Sequence, residues 1–361
     1  MDIAEILKMN GLRIIVAFFA ACSALHVAAQ DLPATQLKVL GGLSTRAMYK
    51  DVEMPFWLKV VPEKSAGKVT AEIKAFDEMG LKGPELFRLM KQGVIEFGVI
   101  PFSYNLSETP LYEGIDLAGM TPDVASAKLV VKSYMPVLAQ SLASSQQIKL
   151  LGISPYASQV LFCNVPVRGL NDLKGKTIRT VNRSQSDLVE ALGAKNATIA
   201  FNDVLNALKK KKIACAVAGP MSAYQAKWYT AATHIYALPV GWNQEVHAVN
   251  QATWDQLDPR VKTFLNQNIK DLTEQLWNFS ASQTQIAYDC LTGAKACKLT
   301  PKGKMILVRP TQNDINAVKK IAAQKVAVKW ANRCSSQCIA EFNQSVGKAL
   351  KVTVKKQTPN P

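Results

Sequence analysis

Histidine is nearly missing from this chain, with three in 361 residues. One of them sits in the N-terminal apolar segment, which leaves only His234 and His247. Neither adjoins a serine elbow, and "GLSTR" lacks the second glycine of G-x-S-x-G, so a hydrolase nucleophile has no base to activate it. No cysteine pair has the C-x2-C spacing of a zinc site and no histidine is suitably placed to complete one. Paired carboxylates are not singled out anywhere. The chain is therefore expected not to be an enzyme and to carry no metal and no cofactor. Acidic residues are also scarce, 27 against 43 basic ones, giving a net charge of +16. Such a balance suits anionic solutes, acidic surfaces or nucleic acid. The basic residues are scattered, however, and the one run, Lys209 to Lys212, has no interleaved aromatics, which argues against nucleic acid.

Beyond the N-terminus no stretch is apolar enough to span a membrane. At the N-terminus itself Lys8 and Arg13 precede an apolar run over residues 14–25, and Val27-Ala28-Ala29 supplies small residues at a cleavage site. That is a secretory signal peptide over residues 1–29, its apolar core too short for a transmembrane helix. A competing reading places a lipid on Cys22, after Phe19-Ala20-Ala21. Export leaves roughly 330 residues of the 361, enough for two domains of ordinary size. It also leaves six cysteines in an oxidising compartment: Cys163, Cys215, Cys290, Cys297, Cys334 and Cys338. An even count there implies disulfides, and the local pairs Cys290–Cys297 and Cys334–Cys338 are the simplest choice.

From Gln36 the pattern alternates strand and helix. "LKVLGG", "VTAEIKAF" and "VIEFGVI" read as strands, with helices over "EMPFWLKVVPEKSAG" and "GPELFRLMKQG" between them. The order β-α-β-α-β implies a parallel sheet with right-handed crossovers. A helix over 123–147 follows, then a second series of short strands and helices. From Asp258-Pro259 helical spacing persists to Gly293, longer than one small domain usually contains, so this helix is expected to brace two. The fold class is α/β: a two-lobed clamshell, each lobe an open α/β sheet, with long bracing helices. Residues 37–156 plus 246–283 make the first lobe and 157–245 plus 284–350 the second, with a C-terminal tail over 351–361. Ligands of open α/β sheets sit at the carboxyl ends of strands, here facing a shared cleft.

"DLKGKTIRTVNRSQ", residues 172–185, offers two chemistries. Gly175-Lys176-Thr177 suggests a phosphate loop, but the earlier glycine is Gly169, one residue too far away, and the motif leads into a strand instead of a helix. Arg179 suggests a carboxylate. It lies in a strand, with Asn182, Arg183 and Ser184 before the next helix, and a guanidinium fork beside a helix N-terminus makes a pocket for an organic anion. A pairing of Arg179 with Asp187 or Glu190 on that helix is the competing role.

The segment "GLNDLKGKTIRTVNRSQSDLVEALGAKNATIAFNDVLNALKKKKIACAVAGPMS" resembles the second lobe of the solute-binding subunit of tripartite ATP-independent periplasmic (TRAP) transporters. The matching pieces are Asp172 to Val181, Ala191 to Ala194, Phe201 to Val204 and Ala207-Leu208, in order, and the likeness extends from about Leu37 to Val346. The resemblance implies a periplasmic protein that captures a small organic carboxylate and delivers it to a TRAP-type membrane permease; a monomer is expected. It puts the ligand-clamping arginine at Arg179 and a polar contact at Asn182. Departures accompany it: many members have an arginine where Gln159 stands, and a polar stretch of the family reads Ile213-Ala214-Cys215-Ala216-Val217-Ala218-Gly219-Pro220. By position in the clamshell the further candidates are Arg183, Ser44, Thr45, Ser103, Tyr104 and Gly219, with Trp228 and Trp242 as stacking surfaces for a flat ligand, although either tryptophan would serve equally in the core. The alternative function is a periplasmic ligand sensor that presents its closed form to a signalling receptor. Adjacent permease genes would favour transport, an adjacent sensor kinase signalling.

Overall fold

The computed structural model of the chain describes residues 32–104 and 109–357; the expected signal peptide lies outside them. The first sheet contains β1 (Thr35–Gly41), β2 (Val69–Ala75), β3 (Phe97–Pro101), β4 (Ile148–Ser154) and β10 (Glu245–Asn250). The second contains β5 (Gln159–Cys163), β6 (Thr177–Thr180), β7 (Lys195–Thr198), β8 (Cys215–Ala218), β9 (His234–Gly241) and β11 (Ile306–Val308). Their spatial orders are β2-β1-β3-β10-β4 and β11-β9-β5-β8-β6-β7. Every residue of the central strands β3, β8 and β10 is buried, because helices cover both faces there. The edge strand β2 keeps its outward positions polar and open to water.

The two-lobed α/β architecture is as expected, but neither sheet is wholly parallel. Strands β1, β2 and β3 run parallel to one another, whereas β10 is antiparallel to β3 and β4, and β5 is antiparallel to β8 and β9. The cause is the route between lobes. The chain leaves the first sheet through residues 155–158 and returns through residues 242–244. Connections this short have no room for a crossover helix, so the strands they feed run against those that helices deliver.

Four helices pack on the two sheets. Helix α1 (Val124–Gln146) is capped by Asp123, which accepts the Ser126 N–H at 2.7 Å. Helix α2 (Arg183–Ala191) follows β6, and α3 (Pro220–Gln225) follows β8. Helix α4 (Pro259–Thr292) runs 34 residues, from an N-cap at Asp258 to Gly293 in the left-handed conformation with φ of 78°, a glycine being the residue that tolerates it best. At 1.5 Å per residue it extends about 50 Å. Its first half puts Val261, Leu265, Ile269 and Leu272 against Val39 and Trp57 of the first lobe. Its last turns put Ala287, Tyr288 and Leu291 against Phe162 and Trp228 of the second. One helix thus supplies core to both lobes, the bracing role its length implies.

Helix α5 (Gln312–Ile321) leads into a helical segment ending at Arg333. Val318 and Val326 pack with Leu161 and Leu188 of the second lobe. After that the chain changes sides: Trp330, Phe342 and Val346 share a core with Tyr134 and Leu138 of the first lobe, and Trp330 Nε1 donates to the Pro110 carbonyl at 2.7 Å. The residues 327–350 grouped above with the second lobe therefore pack on the first. The tail over 351–357 is held too, Val354 being buried with its N–H donated to Asn343 Oδ1 at 2.9 Å. Disulfides join Cys290 to Cys297, Cys334 to Cys338, and Cys163 to Cys215. The last bridges directly opposed residues of β5 and β8.

Candidate ligand-binding site

A cleft of about 560 Å³ opens between the lobes. The first lobe gives it Arg46, Pro101 and Ser103; the crossings between lobes give Tyr156 and Asn243; the second lobe gives Gln159, Arg179, Thr180, Phe201, Gly219 and Ser222. Among the described residues two arginines line it, and no aspartate or glutamate does.

Arg179 owes its position to strand alternation. Ile178 beside it is fully buried in the core with Leu188, so the next side chain projects from the opposite face of β6. There its Nε donates to the Ile199 carbonyl at 2.9 Å and its Nη1 to the Val217 carbonyl at 3.0 Å. These two contacts fix the guanidinium plane. The residue is only 5% exposed, and burial lowers its pKa to about 10, which still leaves it charged at neutral pH. Neutral carbonyls alone do not offset a buried charge. Asp187 pairs instead with Arg333 at 2.9 Å and Glu190 with Lys329 at 2.8 Å, so the competing role for Arg179 is not the one the fold builds. Among the described residues its donors meet these two carbonyls and no carboxylate.

Asn182 caps α2, its Oδ1 accepting the Gln185 N–H at 3.0 Å. With the half-exposed Arg183 it lines an adjoining hollow of about 360 Å³, which shares Ser103, Thr180 and Thr198 with the main cleft. Arg183 pairs there with Glu113 at 3.7 Å. Gln159 is buried and donates Nε2 to the Ala157 carbonyl at 3.0 Å. Gly219 lets the end of β8 approach the crossing, for a Cβ there would lie 3.0 Å from that of Ala157.

Other expected residues lie elsewhere. Ser44 gives both its N–H and its hydroxyl to Asp77, at 2.9 and 2.6 Å, and Thr45 is exposed away from the cleft. The turn so pinned presents Arg46 to the cleft instead. Tyr104 ends a short turn beside Ser103, and its side chain is outside the described structure. Trp228 is fully buried, with ring centres 5.6 Å from Phe162 and 5.3 Å from Phe201. Trp242 is buried beside Trp277 and donates Nε1 to the Thr121 carbonyl at 3.0 Å. Both tryptophans are core. The aromatic face open to the cleft is Phe201, 38% exposed and backed by Trp228. Trp228→Ala should accordingly lower unfolding free energy by about 3–5 kcal/mol in a denaturant titration. A stacking platform would instead lose affinity with its melting temperature unchanged.

Arg46, Tyr156, Asn243 and Phe201 were not singled out by sequence. Arg46 stands one residue beyond the Ser44-Thr45 pair that was, and Phe201 opens one of the stretches that carry the family resemblance. Tyr156 and Asn243 lie in the crossings, which look like ordinary loops until both sheets are in place. His247, bonded to Ser154 Oγ at 2.9 Å, is buried and structural.

Two open sheets facing one cleft, tied by two short crossings and a helix common to both cores, define a two-lobed binding protein. Residues 44–331 match the model of bacterial extracellular solute-binding protein family 7, and the chain belongs to that family, one of binders and not enzymes. It is 26% identical over 180 residues to a solute-binding protein of Sulfitobacter sp. (strain NAS-14.1), an alignment covering 49% of this chain and 54% of that relative, so the chain spans about half the length of the curated relative it matches. Among solved structures it resembles a TRAP periplasmic solute-binding protein of Rhodobacter sphaeroides in an open apo form, with TM-score 0.76 and 16% identity over 88% of this chain and 99% of that one. It also resembles a Bordetella pertussis extracytoplasmic solute receptor that binds pyroglutamic acid, with TM-score 0.70 and 20% identity over 88% of this chain and 99% of that one.

Proposed function

We propose that the protein captures a small organic carboxylate in the cleft, with Arg179 as its clamp, and delivers it to a TRAP-type membrane permease from the periplasm. The observation that carries this reading is the buried Arg179 guanidinium, held by two backbone carbonyls in a cleft whose described lining includes no acid. Gln159, Ser103, Gly219, Thr180 and Phe201 complete the ligand's surroundings; Asn182 and Arg183 guard the adjoining hollow. The family and the pyroglutamate held by the Bordetella receptor support the same ligand class. The chain works as an exported monomer whose signal peptide over residues 1–29 is removed. Its first lobe is residues 37–156 plus 246–283, joined by the helical segment 327–350; its second is 157–245 with the chain from 284 to 326. Residues 155–158 and 242–244 act as hinges, and ligand shifts the lobes toward the closed form that the permease recognises.

The test is a thermal-shift screen of organic acids, each beside its neutral amide, with calorimetry on every hit. At least one acid should raise the melting temperature by several degrees at saturation while its amide does nothing. Stabilisation by neutral sugars or by amines, and by no acid, would refute the assignment.

A further inference from the structure

The second sheet has two ends. One faces the cleft with Thr180, Thr198 and Ala218. The other, where β5 ends and the other five strands begin, faces away from it. Backbone hydrogen bonds run along that far edge: Ile306 N–H to the Thr233 carbonyl at 2.9 Å, Thr233 to Cys163 at 2.8 Å, Asn164 to Ala214 at 2.9 Å, Ala214 to Thr177 at 2.9 Å, and Lys195 to Lys176 at 2.8 Å. The strands start behind lysines. Lys176 precedes β6, Lys195 opens β7, the run from Lys209 to Lys212 precedes β8, and Lys298 and Lys304 lie in the loop before β11. All but the half-buried Lys176 are exposed. Among the described residues none of them has an ion-pair partner. The stretches that carry them, 173–177, 193–197, 209–214 and 295–306, contain no aspartate or glutamate. Asp172, beside the first, is engaged by the Arg168 N–H at 2.7 Å.

We infer that this edge docks the second lobe on a membrane surface rich in anionic phospholipid. Ammonium groups strung along the end of a sheet do not converge on one small anion; they match an extended plane of phosphate charge. Their hydrocarbon stems can lie against that plane while the charged heads stay hydrated. Two apolar side chains choose among polyanions. Leu299 and Ile306, 38% and 57% exposed, stand in the same loop as Lys298 and Lys304. That loop is held by the Cys290–Cys297 bridge and by the Gly303 N–H on the Cys290 carbonyl at 2.8 Å. A lipid surface offers such side chains an apolar boundary to enter, which the sugar–phosphate backbone of a nucleic acid and an acidic polysaccharide do not. The inference does not depend on what the cleft binds. Because the edge lies at the opposite end of the sheet, docking leaves the cleft open, and it keeps the protein beside the membrane that holds the permease proposed above.

Vesicle co-sedimentation tests this on the mature chain from Gln30 on, which leaves out the N-terminal apolar segment. At low salt, phosphatidylcholine vesicles carrying about one-third phosphatidylglycerol should bind it at least roughly tenfold more tightly than phosphatidylcholine alone, and about 0.5 M salt should remove most of that difference. Changing Lys209 to Lys212 together to glutamine should lower the affinity by roughly tenfold or more. The charge-matched change of Lys50, Lys59, Lys68 and Lys82, exposed on the first lobe, should lower it by less than about threefold. Leu299→Ser should weaken binding severalfold with the salt dependence unchanged. Should the Lys209 to Lys212 variant fold poorly by circular dichroism, the pair Lys298→Gln and Lys304→Gln replaces it, with a loss of about threefold or more expected. Equal losses in the second-lobe and first-lobe variants would reduce the effect to net charge and overturn the inference. So would equal binding to both kinds of vesicle, or tighter binding to duplex DNA or polygalacturonate than to the anionic vesicles. None of these outcomes touches the carboxylate reading, which the acid screen decides separately.

Discussion

Arg179→Ala should weaken carboxylate binding by a factor of about thirty or more, because removing one partner of a desolvated charge pair costs about 2–5 kcal/mol. The fold should lose far less. The Ile199 and Val217 carbonyls lose their donors, at about 1–3 kcal/mol for an unsatisfied group, but the empty protein no longer buries an uncompensated cation, which offsets part of that loss. Arg179→Lys keeps the charge without the planar fork and should recover only a small part of the affinity. Calorimetry and denaturant unfolding on the same samples separate the two effects. A fall in melting temperature with affinity intact would make Arg179 a structural residue and remove the basis for the binding site.

Of the Cys163–Cys215 and Cys290–Cys297 bridges, removal of Cys163–Cys215 should cost the more stability. The former joins residues 52 apart in sequence, against 7 for Cys290–Cys297. Loop-closure entropy gives about 4 kcal/mol for the first and roughly 2 kcal/mol for the second. The long bridge also ties β5 to β8, the strands that bring Gln159 and Gly219 to the cleft. Replacing both cysteines of each pair by alanine, and comparing guanidinium midpoints, should rank them in that order. The reverse ranking would show that native-state packing around each bridge, and not chain entropy, sets its contribution.

The local elements were legible in the sequence because their signals are local. Asp258-Pro259 and Gly293 bound α4 as capping residues should, and the run from Thr177 to Thr180 alternates as a strand next to its helix. Relations set by distant parts of the chain were not legible. The antiparallel insertion of β10 depends on where the chain re-enters the first sheet. The switch of residues 327–350 onto the first lobe depends on which partner an amphipathic face meets. The Cys163–Cys215 pairing needs the register of β5 on β8. At the site, Arg179 stood out because strand, arginine and helix start fall together in one short segment. Arg46 did not, because its placement is decided by Asp77, which captures Ser44 from the end of another strand. The tryptophans misled for a related reason: large aromatic side chains mark buried volume, and sequence does not say whether that volume is core or cavity.

The chain enters and leaves the second sheet by separate short crossings, and α4 then passes alongside both. Neither half of the molecule is thus a continuous stretch of polypeptide. A protease that nicks the surface will not liberate one half intact, and expression of either half by itself requires its pieces to be spliced with new linkers. Reporter fusions intended to follow the motion of one half belong at exposed loop tips, where no strand is separated from its sheet.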